Sequence, residues 1–154
     1  MMEICFEKPT LQDVPEMLEL VESEVHNGTI LFRSFEEIAN TIDNYIVSRL
    51  DGKIIGFCAL HIYSATLAEV RSLIVAQEYR KQQIGRTILE FIIQKAKEFG
   101  IAELLALSYH RDFFLALGFE VIPNEKIPIE KIQTDCMKCK RFSKCNEIAL
   151  LKKL

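Results

Sequence analysis

Tryptophan is absent from this 154-residue chain, and glycine and proline number only 6 and 4. Collagen-like and low-complexity chains depend on those last two residues, so both classes are excluded. A disordered chain is excluded as well, by 49% hydrophobic against 27% charged residues. Long apolar runs are missing: the longest, Ile54 to Leu60, falls far short of the ~20 residues that span a bilayer, so no membrane partner is expected. The opening Met1-Met2-Glu3-Ile4-Cys5 has no basic stretch leading into an apolar one. No export signal is therefore expected, and the expected compartment is the cytoplasm. An excess of one charge is also lacking, since the net charge is -3, which argues against a nucleic-acid partner. The composition predicts a single soluble domain over residues 1–154, long enough to bury about two-thirds of its unfolded surface.

The charge is unevenly spread. Residues 136–154 hold Lys138, Lys140, Arg141, Lys144, Lys152 and Lys153 against Glu147 alone. Such a basic end is either solvated surface or a neighbour of an anionic ligand. Of the five cysteines, Cys5 and Cys58 lie in apolar, strand-like stretches and read as small core residues. Cys136, Cys139 and Cys145 form a second group inside the basic segment, a flap over 136–145. Three thiolates at that spacing hold Zn²⁺ if a fourth ligand comes from elsewhere. Free surface thiols and a redox pair are the other readings, and zinc is not the preferred one.

The pattern of apolar residues predicts a mixed α/β (α+β) domain. Ile4 and Phe6 alternate with polar residues as in a short strand. Thr10 with Asp13, and Ser34 with Glu37, have capping-box spacing and open two helices, the first running through Leu11, Val14, Leu18 and Val21 to Gly28. Asp51-Gly52 is a two-residue hairpin turn between strands Tyr45–Leu50 and Lys53–Tyr63. A strand over 67–75 follows. Ile84, Ile88, Leu89, Ile92, Ile93 and Ala96 then mark a long amphipathic helix ending at Gly100. Strands near 103–107 and 119–122 flank a short helix with Phe113 and Phe114. The order predicts a mixed, mostly antiparallel sheet covered by helices. A last strand near Ile148–Leu151 reads as an exposed edge, which makes a homodimer a candidate assembly.

The stretch Val75–Leu89, VAQEYRKQQIGRTIL, carries the chemistry. A strand ends, a polar loop turns, and a helix begins at Gly85. Amides of such a loop and of the first helical turn make an anion site. The alternative is an ordinary strand-to-helix connection with Arg80, Lys81 and Arg86 in solvent. Neither the Walker pattern nor GxGxxG is present.

YRKQQIGRTIL resembles the cofactor motif of the GNAT acetyltransferase superfamily, Arg or Gln followed by x-x-Gly-x-Gly/Ala. Arg80 takes the first position, Gln83 stands where the first Gly would be, and Gly85 takes the second. A side chain at Gln83 crowds the phosphates or points away, and a positive φ there is costly. GTILFRS (28–34), AEVRSLIV (68–75), ALSYHRDFFLALGF (106–119) and the Cys-rich DCMKCKRFSKCNEIAL (135–150) are similar to segments of short, stand-alone proteins of the N-acetylglutamate synthase type. The resemblance implies the GNAT fold and acetyl-CoA as cosubstrate. It places the pantetheine arm beside Leu73, Ile74 and Val75, and the pyrophosphate on Arg80, Lys81, Gln82, Gln83, Ile84, Gly85 and Arg86.

Acetyl transfer from a thioester to an amine needs an anion cradle, a base and donors for the oxyanion. Glu69, on the strand leading into the loop, is the candidate base; its alternative is a salt bridge to Arg71 on the same face. Arg33 and Arg71 are candidate anchors for a substrate carboxylate, with pairing of Arg33 to Glu36 or Glu37 as the alternative. Many relatives of the superfamily carry a Tyr before Gly-Phe to protonate the thiolate. That position is Phe114 here, leaving Tyr109 as the candidate acid, with Ser108 or bound water as substitutes. No cysteine sits beside an activating base, so direct attack by the amine is expected. The implied reaction is acetylation of the α-amine of an acidic amino acid, L-glutamate first, as in arginine biosynthesis. Acetylation of a polyamine or a protein N-terminus, and acyl-CoA binding without catalysis, are the alternatives.

Overall fold

A computed structural model describes residues 3–127 and 147–154. In chain order the elements are β1 (Ile4–Glu7), α1 (Val14–Asn27), α2 (Phe35–Asn40), β2 (Tyr45–Leu50), β3 (Lys53–Ile62), β4 (Leu67–Val75), α3 (Ile84–Glu98), β5 (Glu103–Ser108), α4 (Arg111–Leu115), β6 (Glu120–Ile122) and β7 (Ile148–Lys153). Local chemistry accounts for the starts and stops. Asp13 Oδ2 accepts the Thr10 amide at 2.7 Å before α1, and Ser34 and Glu37 exchange two bonds of 3.1 Å at the start of α2. Gly28 closes α1 in the left-handed conformation, φ 78°. Asp51 and Gly52 turn the β2–β3 hairpin with φ of 51° and 79°, the pairing of signs that a tight hairpin requires.

The sheet runs β1-β2-β3-β4-β5-β7-β6. Among the described residues only β4 and β5 pair in parallel; every other pair is antiparallel. One face is covered by α1 and α2, whose Val14, Met17, Val21 and Ile38 pack on Val47, Phe57, Ala59 and Ile74. The other face meets α3, where Ile84, Ile88, Leu89, Ile92, Ile93 and Ala96 are all buried. Together with Phe114 and Phe119 they close the larger core over Leu60, Val70 and Leu104. Burial of these side chains contributes roughly 1.5–3 kcal/mol each.

Two expectations are corrected. β7 is not an exposed edge: it lies between β5 and β6, with Leu150 opposite both Ala106 and Val121, so both its sides are already paired. Cys5 is exposed, whereas Cys58 is buried as expected. In edge strand β1 the alternation turns Ile4 and Phe6 toward the protein and Cys5 away from it. The strand, helix and hairpin boundaries otherwise fall within a residue or two of those expected. Among the described residues no helix is long and apolar enough to cross a membrane.

Candidate active site

β4 does two unusual things. Its pairing with β5 stops after three residues, Leu67, Ala68 and Glu69 against Glu103, Leu104 and Leu105. Beyond Glu69 the two parallel strands part, and β5 continues with β7. Glu69 thus stands at the apex of a wedge whose sides are the ends of β4 and β5. Secondly, β4 carries a bulge. Phe57 faces Ile74 while Ala59 faces Arg71, so Ser72 and Leu73 share Cys58 as their opposite. Ser72 takes φ 54°, left-handed for a residue with a side chain. The bulge flips the strand's phase. Ala68 and Val70, then Leu73 and Val75, pack toward α3, whereas Ile74 packs toward α1. That odd-numbered step from Val70 to Leu73 was the available sequence signal for the bulge, which the reading of one continuous strand passed over. A bulge also removes backbone groups from the ladder, here in the wall of the wedge.

Glu69 is buried, 1% exposed, and held. Tyr63 donates to its Oε1 at 2.8 Å and Arg71 Nε at 3.1 Å. The Arg71 guanidinium in turn lies 5.9 Å over the Tyr63 ring. The expected pairing with Arg71 is therefore present, and Tyr63 joins it, a residue the sequence reading did not single out. Burial, then the neighbouring Glu69 charge, push the Tyr63 hydroxyl well above the usual phenol range, so it stays a donor. Burial likewise raises the Cys58 thiol far above its ordinary value; its Sγ donates to the Arg71 carbonyl at 3.3 Å.

On the α1–α2 face of the wedge, Arg33 lines a small enclosed cavity with Tyr45, Ile30, Leu31, Phe57 and the bulge residue Ser72. Its guanidinium lies 3.9 Å from Glu37, the pairing weighed as its alternative. Burial pushes the Tyr45 hydroxyl up, against the pull of the Arg33 and Arg71 charges. The two arginines expected to hold carboxylates thus both act on one phenol.

The loop after β4 is set by side-chain-to-backbone bonds. Arg80 Nε donates to the Val75 carbonyl at 3.0 Å, and its Nη2 reaches Glu24 Oε1 at 3.3 Å. Lys81 and Gln83 both adopt left-handed φ, 67° and 64°. Gln83 is the N-cap of α3, yet its side chain makes no capping bond, and the first turn holds no acidic residue. The amides of Ile84, Gly85 and Arg86 are the uncapped, positive end of a 15-residue helix. A Cβ added at Gly85 would lie 3.5 Å from Val75 and 3.8 Å from Phe113, ordinary contacts that an alanine tolerates. Phe113 therefore reaches from α4 to the start of α3.

The candidate acid, Tyr109, follows directly on β5 and is partly buried. It borders an open depression with His110, Arg111, Asp112 and Phe113, while Ser108 Oγ accepts the His110 amide at 3.0 Å. Phe114 is buried, edge-on to both Phe113 and Phe119 at 5.2 Å; it is a core residue. Cys136, Cys139 and Cys145 lie outside the described residues, among which no metal-ligating cluster occurs.

The chain and its fold resemble known proteins. Residues 12–119 match the acetyltransferase (GNAT) family. An uncharacterized N-acetyltransferase of Chlorobaculum tepidum is 35% identical over 150 residues, 97% of this chain and 96% of that protein. The amino-acid acetyltransferase of Mannheimia succiniciproducens is 33% identical over 124 residues, 79% of this chain but only 28% of that enzyme. N-acetylglutamate synthase from Neisseria gonorrhoeae, solved with coenzyme A and N-acetyl-glutamate, superposes with a TM-score of 0.86 at 25% identity, over 99% of this chain and 35% of that one. The chain therefore spans about a third of these two longer proteins and nearly all of the first.

Proposed function

The chain belongs to the GNAT acetyltransferase family, and from that premise we propose that it acetylates the α-amine of an acidic amino acid, L-glutamate before others. Use of acetyl-CoA and transfer to nitrogen follow from the family. The acceptor is the part inferred here. One observation supports it: Arg71 lies beside the buried Glu69, Arg33 lines the cavity with Tyr45 and the bulge residue Ser72, and the charges of both arginines pull on the Tyr45 hydroxyl, which we read as the acceptor side. Guanidinium groups in a partly buried setting fit carboxylates and repel a cationic amine. The Neisseria gonorrhoeae synthase, solved with N-acetyl-glutamate, supports the same choice.

In this reading the amides around Ile84 and Gly85, with Lys81 and Arg86, hold the pyrophosphate of acetyl-CoA. The pantetheine arm runs along Leu73, Ile74 and Val75, where β4 has parted from β5 and that edge pairs with no strand among the described residues. The thioester then faces Glu69 at the apex. Glu69 takes a proton from the acceptor ammonium, directly or through water, and the freed amine attacks the thioester carbonyl. Backbone amides released by the Ser72 bulge face the developing oxyanion. The C–S bond breaks, and Tyr109 or Ser108, at the end of β5, protonates the departing thiolate. Holding both reactants in line supplies several kcal/mol of the lowered barrier.

An acceptor screen that follows thiol release tests the proposal, with L-glutamate, L-glutamine, L-aspartate, spermidine and a short peptide as amines. Turnover is expected with glutamate and its close analogues. Turnover confined to spermidine or the peptide overturns the acceptor assignment, and coenzyme A binding without turnover on any amine overturns the activity.

A further inference from the structure

We propose that Glu24, near the end of α1, is a positioning residue shared by the two substrate sites and couples them. The inference rests on the assignment of cofactor and acceptor sides above and adds a link between them. Both oxygens of the Glu24 carboxylate are engaged, each toward a different side. Oε1 takes Arg80 Nη2 at 3.3 Å, and the same guanidinium grips the Val75 carbonyl through Nε at 3.0 Å. The last residue of β4 and the first of the cofactor turn are thereby tied to α1. Oε2 takes the Thr29 hydroxyl, while the Glu24 carbonyl takes the amides of Thr29 at 3.0 Å and Ile30 at 3.2 Å. Thr29 opens the segment whose Ile30, Leu31 and Arg33 line the cavity beside Ser72.

Structure alone does not call for this carboxylate. α1 is already anchored by Val14, Met17 and Val21, and the Arg80 side chain is 49% exposed, so the ion pair adds little to stability. What it does is restrict two loops through one group. The cofactor turn carries two residues in left-handed conformations, which are accessible but not preferred, and the bonds of Arg80 to Val75 and Glu24 hold the residue just before the first of them. A ligand that orders either loop orders Glu24, and the second ligand then meets a smaller ordering cost. Such coupling is reciprocal.

Calorimetry on the purified full chain tests this with coenzyme A and L-glutamate as probes. In the wild type, saturating coenzyme A is expected to tighten glutamate binding about fivefold or more. Glu24→Gln is expected to bring that ratio close to one and to raise KM for both substrates, with kcat little changed. Thr29→Val cuts one arm and raises KM for glutamate alone; Thr29→Ser keeps the hydroxyl and restores it. Arg80→Gln cuts the other and raises KM for acetyl-CoA. A wild-type ratio of one overturns the coupling, as does a ratio that survives in Glu24→Gln. If Glu24→Gln does not fold, equal KM values for Thr29→Val and Thr29→Ser overturn it instead. Absence of coenzyme A binding to the wild type overturns the functional reading itself, and the coupling with it.

Discussion

Arg71 donates through Nε to Glu69 Oε1 at 3.1 Å, a contact made because residues two apart on β4 share a face. The pair sets two requirements on one carboxylate: it must remain charged to act as a base, and its charge must be compensated where it is buried. Glu69→Gln is expected to lower kcat by about 10²–10⁴, the usual worth of a positioned base, with coenzyme A affinity preserved. Unchanged turnover from pH 6 to 9 would remove Glu69 from the mechanism.

Stability should respond in the opposite pattern. Arg71→Met takes a guanidinium away from a carboxylate that is 1% exposed, and roughly 3–5 kcal/mol of unfolding free energy should be lost. The double variant Glu69→Gln/Arg71→Met should recover a large part of it, because no uncompensated charge is left. Denaturant unfolding of the three variants gives the comparison; purely additive losses would mean that the two groups do not compensate each other.

The start of α3 offers a way to separate stability from binding. Its first turn lacks an acidic residue, and the space around Gly85 admits a Cβ. Gly85→Asp should therefore favour the helix, by roughly 0.3–1 kcal/mol, and exclude a diphosphate from the same amides. A melting temperature at or above wild type together with loss of coenzyme A binding is the expected result. Retained binding would mean that the cofactor is held elsewhere.

Much of this was legible in the chain because the signals are local. Capping pairs, the Asp51-Gly52 turn and the helical spacing from Ile84 to Ala96 each act over a few residues. The loop around Gly85 was readable for the same reason, including the cost at Gln83, which does adopt a positive φ. Other features were not. The insertion of β7 between β5 and β6 is a long-range choice that no local pattern specifies. Tyr63 reaches Glu69 only through the β3–β4 register, with His61 opposite Glu69. The Ser72 bulge changes strand phase by one residue, and its one signal, the odd-numbered step from Val70 to Leu73, is also met by a strand buried on both faces. The outward face of Cys5 follows from the alternation that turns Ile4 and Phe6 inward, but which face of β1 the rest of the protein covers is again a long-range matter.

Cys58 lies on β3 opposite the bulge and donates its thiol to the Arg71 carbonyl. Burial and the nearby Glu69 charge keep it protonated, so it is a poor nucleophile. This supports the direct attack by the amine proposed above. Cys58→Ser should keep kcat within about threefold, and mass spectrometry of enzyme quenched during turnover should detect no acetylated cysteine. An acetyl group on Cys58 would replace direct transfer by a two-step route.

Acid sensitivity should arise away from the site, at Asp13. Its carboxylate accepts Arg49 Nη2 at 2.6 Å and the Thr10 amide at 2.7 Å, joining the start of α1 to β2. Burial alone would raise this carboxyl, but the bonds from Arg49 and Thr10 prevail and hold it below its ordinary value. A carboxyl held low in the folded state contributes stability above the unfolded value, near 4, and loses that contribution as pH falls through its folded value. Asp13→Asn should accordingly cost roughly 1–2 kcal/mol at pH 7. The gap between wild type and variant should close progressively as pH falls below about 4. Urea unfolding at a series of pH values measures it, and a gap independent of pH would show that Asp13 acts through its shape and hydrogen bonds and not through its charge.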